Sequence, residues 1–314
     1  MNRSIKIVAL LLLIVCTVSC KKEDKLTPTT INDGYVLALG THDYDTVILS
    51  YFNKYNSYFL YQFSDKDAYW TPTGYKNGIK GDDGFWKNGF EMSPADPLYI
   101  KAQLDLFSAL CLQLYSDKFL KDFLPAKILL CSKVDSIFQG YDFSTSPITY
   151  YKGIKSVSAW YNYDNICVNY GNAQVSGMTA ADSLVYMAKV NGVFIESIVG
   201  RKKTNPTADF TAQVNYTTAS TNQEDAYARG IITEYFNGPS ATSDWYLYIT
   251  AMATYSEATL QGPPPYTGDV SLVGILNSEK DTNGLIKKRY DIVRKYFTDT
   301  YNVDLQAIGN ASNP

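Results

Sequence analysis

The sequence predicts an α+β fold whose first half mixes helices and strands and whose second half is helical. In the first half, the continuous apolar run AKILLC at 126–131 has the length and composition of a buried strand, and a strand pair is expected around Trp160 and Ile166. From Thr179 onward, apolar residues recur at helical spacing, and no repeat of fixed period occurs. The change of pattern falls near residue 175.

The first half is predicted to begin with a helix over 44–55, followed by an aromatic-rich strand over 58–63. Residues 70–97 are rich in Gly, Pro, Asp and Asn, so this stretch is expected to be mostly loop. Apolar residues at helical spacing then predict a helix over 98–123, which Pro125 ends.

The second half opens with a sequence typical of a helix start. Thr179 with Asp182 three residues later resembles a capping box, and the helix predicted from there extends to Gly200. Three further helices are predicted, over about 222–237, 243–259 and 284–300. We expect the parts 34–175 and 176–314 to form one continuous domain.

Composition excludes some functions. The chain has 314 residues, of which 46% are hydrophobic and 19% charged, as is ordinary for a folded protein of one or two domains. A net charge of -3 gives no nucleic-acid signal, because phosphate binding favours a basic surface. The 27 tyrosines suit sugar stacking and protein contacts, although a compositional bias would explain the same number.

The N-terminus has the three-part pattern of an export signal. Arg3 and Lys6 precede the apolar run 7–15, which is too short to span a bilayer. The run ends in Thr-Val-Ser and Cys20, which looks like a bacterial lipobox, although an ordinary cleaved signal peptide remains the alternative. We therefore expect lipidation of Cys20, and the polar segment 21–33 then predicts a flexible linker.

Three cysteines remain in the expected mature chain. They are Cys111, Cys131 and Cys167, and their wide spacing fits neither a disulfide framework nor a paired zinc motif. Cys111 and Cys131 lie in apolar runs and are expected in the core. One disulfide is possible in an oxidising compartment, but the sequence does not identify its partners.

Five stretches, taken in order, resemble a known family. They are DTVILSYFNKYNSYFLYQF, PAKILLCSK, NGVFIESIVG, EDAYARGIITEYF with TSDWYLYITAMATY, and KKRYDIVRKYFTDTYNVDLQAI. Their order and spacing are similar to Bacteroidetes lipoproteins described as zinc metallopeptidases, or substrate import-associated zinc metallohydrolases, which accompany SusC/SusD-type TonB-dependent import. The likeness covers about residues 40–310 and implies a zincin-like fold.

The resemblance also implies where a zinc site would lie. In such a site, an H-E-x-x-H helix provides two histidine ligands and a general base, and a later helix provides a third ligand. The corresponding positions here are Ile195, Glu196 and Val199, and the later ligand falls near Leu247, with Asp244 the acid beside it. The chain has one histidine, so these positions predict loss of zinc and of peptidase activity.

Other catalytic groups are weakly indicated. His42 is the single histidine, and it lies in the first loop without a convincing nucleophile nearby, so an exposed loop residue is the simpler interpretation. Carboxylate pairs such as Glu196 with Asp244 could in principle cut glycosidic bonds, but a chain with 31 acids offers many such pairs. No common nucleotide-binding glycine loop occurs.

Recognition of a ligand is the remaining class of function. Aromatic side chains could line the former active-site cleft together with Asp244. The candidates are Trp245, Tyr227, Trp70 and Trp86. Ordinary packing of a loop-rich domain is the alternative for each of them.

These inferences combine into one expected function. The chain is expected to be a lipid-anchored outer-membrane protein without a cofactor, acting as an accessory or binding component of a TonB-dependent nutrient import system. Its expected partners are the transporter, a SusD-like protein, and a glycan or peptide, with no nucleic acid. The alternatives are an active peptidase or glycosidase with an atypical site, and a structural partner of the transporter.

Overall fold

The described residues, 42–75 and 78–313 of the computed structural model, have their strands in the first half of the chain and their longest helix in the second. The strands are β1 (Tyr58–Leu60), β2 (Trp70–Thr71), β3 (Gly74–Tyr75), β4 (Gly89–Pro94), β5 (Lys127–Asp142), β6 (Thr149–Ser156), β7 (Ala159–Asn162) and β8 (Asn165–Val168). The helices are α1 (Asp43–Tyr55), α2 (Asp65–Tyr69), α3 (Ile100–Leu110), α4 (Asp117–Phe123), α5 (Ala180–Gly200), α6 (Ala208–Thr211), α7 (Gln223–Ala228), α8 (Ala241–Thr254), α9 (Glu257–Gln261), α10 (Leu285–Tyr301) and α11 (Leu305–Ser312). The predicted α+β class, with a small mixed sheet and a helical second half, is confirmed.

Strand β5 belongs to two parts of the sheet. Its start lies between β1 and β8, and it is parallel to both. From Cys131 onward it pairs antiparallel with β4 and β6. Residues Lys127–Cys131 are all buried, because a strand between parallel neighbours is covered on both faces. The apolar run that predicted a buried strand is therefore its first part, and the rest continues into a hairpin with β6.

Helix α5 begins where the sequence predicts. The Thr179 hydroxyl accepts a hydrogen bond from the Asp182 amide at 3.1 Å, and the Asp182 carboxylate accepts one from the Thr179 amide at 3.0 Å. This is a complete capping box, so that prediction is confirmed. At the other end, the Arg201 guanidinium donates to the carbonyl oxygens of Ser197 and Leu124. It thereby joins the C-terminal ends of α5 and α4.

One hydrophobic core contains residues from both halves of the chain. Its large aromatic members include Phe59, Phe107, Phe194, Trp245 and Phe297. Helix α5 packs against β7 on one side and against α8 on another. The sheet and the helical half therefore share an interior, and the described residues belong to one compact unit.

Three predicted helices differ from the structure. The stretch 98–123 is not one helix, because α3 ends at Leu110 and α4 starts after Ser116, whose side chain accepts a hydrogen bond from the Phe119 amide. The stretch 222–237 is helical only to Ala228. The chain then turns at Gly230, where φ is 78°. The stretch 243–259 is interrupted after Thr254, and α9 starts after Ser256, whose hydroxyl accepts a hydrogen bond from the Thr259 amide.

The predicted signal peptide, the predicted lipidation site Cys20 and the predicted linker 21–33 lie outside the described residues. In the part of the chain that is described, no helix has both the length and the apolar character needed to cross a membrane.

Candidate functional site

Glu196 lies on a narrow exposed strip of the second part of α5. The helix is largely exposed over residues 180–185 and is covered on most of its circumference from Tyr186 onward, where Glu196 is exposed in line with Lys189, two turns earlier. Gly192 and Gly200 lie on the same line, because residues three, four and seven apart share a helix face. Glu196 is therefore a surface residue on the one exposed line of the apolar part of α5.

Protein atoms around Glu196 nevertheless affect its carboxyl group. Partial loss of hydration raises the pKa of Glu196 above its usual value, and the positive charge of Lys189 partly opposes this rise. The negative charge of Glu196 in turn contributes to the raised pKa of Tyr161, which belongs to β7. Glu196 is thus placed where α5 meets the sheet edge.

The positions predicted from the resemblance to be former metal ligands pack into the protein interior. Ile195 is 1% exposed and belongs to the hydrophobic core. Val199 and Leu247 are partly buried and pack against that same core. Aliphatic side chains have no donor atom for a metal ion, so these residues do not fit zinc.

Asp244 forms a buried ion pair with Arg289. Both side chains are fully buried, and the Arg289 Nη1 to Asp244 Oδ2 distance is 2.5 Å. The Tyr216 hydroxyl donates to Asp244 Oδ2 at 2.6 Å and accepts a hydrogen bond from Arg289. We call the buried pair of Asp244 and Arg289, together with the half-buried Tyr216 that binds both, the buried triad. Asp244 is therefore enclosed by protein partners, and this interior position replaces the cleft position expected from the sequence.

The same carboxylate shapes the chain after α7. Asp244 Oδ1 accepts hydrogen bonds from the amides of Ile232 and Thr233, at 3.1 and 2.8 Å, and from the Thr233 hydroxyl at 2.7 Å. These amides are consequently unavailable for a continuing helix, which gives the physical reason why the predicted helix over 222–237 stops early.

Two other predicted cleft residues are also interior. Trp245 is fully buried and packs against Phe210 with 5.1 Å between ring centroids. Tyr227 is 1% exposed, and its hydroxyl donates to the Asp269 carbonyl oxygen at 2.6 Å. The buried Lys280 ammonium lies 5.3 Å from the Tyr227 ring centroid. Like Asp244, neither residue forms a cleft wall.

The two remaining candidates lie beside the sheet. Trp70, in β2, is 42% exposed and makes an edge contact with Tyr163. Trp86 is half-buried, with the Lys152 ammonium 5.1 Å from its ring centroid. Trp70 and Trp86 therefore belong to the sheet side of the protein, whereas Asp244 and Trp245 lie on the helix α8.

The helical half contains a concave surface that the sequence interpretation missed. It has a volume of about 360 Å³, within the typical range of small-molecule sites, roughly 300–1,000 Å³. We call it the Tyr216 cavity, and it is lined by Tyr216, Thr217, Thr218, Ala219, Ser220, Ile231, Tyr235, Phe236, Gly238 and Pro239. Part of its wall was assigned to a helix, although the motif NGP at 237–239 is a turn signal.

A second, smaller concavity is lined by other residues of the same segment. Its volume is about 230 Å³, below the usual range for a ligand site. It is lined by Ile232, Thr233, Glu234, Asn237, Leu247, Val270 and Leu272. Leu247, the third predicted ligand position, therefore borders a shallow, largely apolar depression.

Metal-binding groups do not gather elsewhere in the described chain. Over residues 42–75 and 78–313, no group of three or more His, Cys, Asp or Glu side chains is placed to hold a metal ion. His42 precedes α1, where its ring stacks on Tyr44 and its Nδ1 lies 3.2 Å from Asp45 Oδ2. The single histidine thus has a local structural role at the start of the first helix.

Comparison with known proteins gives a distant structural likeness. The chain is similar to the crystal structure of a candidate zinc-binding metallo-peptidase from Bacteroides caccae, with 15% sequence identity and a TM-score of 0.42. The likeness covers 86% of this chain and 89% of that one. No protein-family model matches the sequence, and no curated protein matches it.

Proposed function

We propose that this protein is a cell-envelope lipoprotein that binds a ligand without catalysis, as an accessory component of a TonB-dependent nutrient import system. Ile195 carries the proposal. At the position where the resemblance implies a zinc ligand, this side chain packs into the core with 1% exposure. A residue that fills the interior has a packing role, and replacing it with a metal ligand would leave a buried polar group.

The surface of the helical half supports binding. The Tyr216 cavity combines aromatic walls with hydroxyl groups, and such mixed linings are typical of small-molecule sites. The Tyr216 side chain in this lining is held in place by its hydrogen bonds with Asp244 and Arg289. A glycan or a peptide is the proposed ligand.

The proposed location rests on the first residues of the sequence. A basic start, a short apolar run and Cys20 at the end of a lipobox-like motif favour lipidation. A lipid anchor would hold the folded part at the outer membrane, where the proposed transporter and SusD-like partner operate.

The form that begins at Lys21 tests the absence of catalysis. We expect the purified protein to contain far less than one zinc per chain by elemental analysis, and to release no product from a casein-derived peptide mixture. Glu196→Gln should leave both readings unchanged. Stoichiometric zinc, or peptide cleavage that Glu196→Gln abolishes, would contradict the proposal.

A binding screen tests the positive part. Soluble oligosaccharides and short peptides are each titrated into the protein by calorimetry, and at least one class should bind. Binding to neither class would overturn the proposed role as a ligand-binding component and leave a structural partner of the transporter as the remaining explanation.

A further inference from the structure

We infer that the Tyr216 cavity binds a neutral sugar ring at the end of, or within, a glycan chain. This inference rests on the proposed binding function and names its ligand class. It follows from three properties of the cavity: the charge of its lining, the exposure of its aromatic wall, and the rigidity of its base.

The lining is uncharged but rich in hydroxyl groups. Thr217, Thr218 and Ser220 provide hydroxyls, whereas Tyr216 provides its ring because its own hydroxyl is bound to Asp244 and Arg289. No Asp, Glu, Lys or Arg belongs to the described residues that line the cavity. A charged ligand would lose hydration there without meeting an opposite charge, whereas the hydroxyls of a sugar can exchange hydrogen bonds with those of the lining.

Two cations of the described chain contact this lining: Arg289, which donates to the Tyr216 hydroxyl and is paired with Asp244, and Arg229, whose charge is directed at protein oxygens. The Nη1 atom of Arg229 donates to the Ser220 hydroxyl at 3.0 Å, and its Nη2 donates to the Asn215 carbonyl oxygen at 2.6 Å. Arg229 therefore positions the Ser220 side of the cavity. The same contacts reduce its availability to an anionic ligand.

Another part of the lining offers aromatic surface to solvent. Phe236 is 64% exposed, and Tyr235, which contacts it edge-on at 5.3 Å between centroids, is 38% exposed. Exposed aromatic faces beside a polar cavity suit the C–H faces of a pyranose ring. Ile231 is 2% exposed and borders the cavity as an apolar floor.

The base of the cavity is fixed before any ligand arrives. The Tyr216 hydroxyl donates to Asp244 and accepts from Arg289, and both partners are fully buried. Gly238, with φ of 61°, takes the left-handed conformation in the turn after Phe236, in the same lining. A site with fixed walls loses less conformational entropy on binding a rigid ring.

Calorimetric titration of the form that begins at Lys21 tests the inference. The probes are methyl glucoside, methyl galactoside, methyl mannoside and N-acetylglucosamine as neutral sugars, glucuronate as a charged sugar, and a neutral tripeptide. We expect at least one neutral sugar to bind and to bind more tightly than glucuronate or the tripeptide. Phe236→Ala should weaken that binding at least about fivefold, because it removes the exposed stacking surface.

Phe143→Ala is the matched control, since Phe143 is a 75% exposed aromatic residue in the turn between β5 and β6. It should leave sugar binding unchanged. Tighter binding of glucuronate or the tripeptide, lost in Phe236→Ala, would overturn the sugar class and retain the proposed binding function. Sugar binding unaffected by Phe236→Ala would overturn the site. Binding of no probe, together with a negative screen of oligosaccharides and peptides, would overturn both proposals.

Discussion

Asp244 and Arg289 join helices α8 and α10 through an ion pair that is entirely closed to solvent. Arg289 also stacks on Phe210, with its guanidinium carbon 3.8 Å from the ring centroid. Desolvation opposes the charged form of Arg289, but its carboxylate and tyrosine partners outweigh this effect and hold its pKa above the usual value. The two Nη atoms of Arg289 are hydrogen-bonded in the interior, while its Nε has no hydrogen-bond partner among the described residues. Through the Tyr216 hydroxyl, the pair contacts the lining of the Tyr216 cavity.

Arg289→Met should strongly destabilise the protein. Removing one partner of a buried pair leaves the other charge without compensation, which costs about 3–5 kcal/mol. The measurement is the free energy of unfolding in urea.

Arg294→Met provides the control on the same helix. Arg294 pairs with Asp304 through side chains that are each 33% exposed, and such pairs contribute about 0–1 kcal/mol. Equal losses in the two variants would contradict the special role assigned to the buried pair.

The buried triad also shows where sequence interpretation reaches its limit. The capping box at Thr179 and the strand in AKILLC follow from neighbouring residues, so local patterns predicted them. Asp244 meets its partners 28 and 45 residues away, at Tyr216 and Arg289. A local sequence pattern does not predict contacts between residues so far apart. Asp244 was therefore interpreted as a candidate residue of a cleft, whereas it is a buried structural acid.

The same limit explains the missed cavity. Its walls come from the loop that contains Tyr216 and from the turn that contains Phe236, and Asp244 binds two backbone amides of the segment that leads into this turn. Helical periodicity in 222–237 was real but was overridden by this tertiary contact. The positions Ile195 and Val199 were located from resemblance, and only the structure shows that they pack against the core.

The hairpin of β5 and β6 places two aromatic rings over glycines. Gly153 lies directly opposite Phe138, and Gly140 lies opposite Tyr151. A Cβ atom at either glycine would overlap the facing ring. We expect Gly153→Ala to lower the free energy of unfolding by roughly 1–3 kcal/mol, because the ring must leave its place on the strand.

Two further variants make this prediction specific. Gly177→Ala should change stability little, since a Cβ there meets nothing within 4 Å. When Gly153→Ala is added to Phe138→Ala, it should lower the free energy of unfolding much less than it does in the natural chain. An equal cost in both backgrounds would show that the backbone, and not the ring, is the source of the loss.

The three described cysteines should react only after unfolding. Cys111, Cys131 and Cys167 are free and buried, and burial raises the pKa of both Cys111 and Cys131. Buried thiols with a raised pKa form little thiolate and are shielded from reagents. A thiol-specific colour reagent should therefore detect almost no thiol in the native protein that begins at Lys21. It should detect three per chain in guanidinium chloride, and detection of one would instead indicate a disulfide.

Glu196→Gln should stabilise the protein at neutral pH relative to the natural chain. The pKa of Glu196 is raised from 4.5 by partial desolvation, so the folded state binds the proton more tightly than the unfolded state. The free energy of unfolding therefore falls as pH rises from the unfolded pKa through the higher folded pKa. Glutamine does not titrate and avoids this loss.

Urea unfolding at several pH values, from about 4 to about 7, measures this difference between Glu196→Gln and the natural chain. The advantage of the variant should grow across the window and then level off. Lys189→Met should enlarge the pH-dependent loss of the Glu196 protein, because the charge of Lys189 favours the ionised carboxyl. If the natural chain were more stable than Glu196→Gln at neutral pH, the ionised Glu196 carboxylate would have a favourable partner in the folded state. A bound metal ion would be such a partner, so this outcome would also count against the proposed loss of zinc.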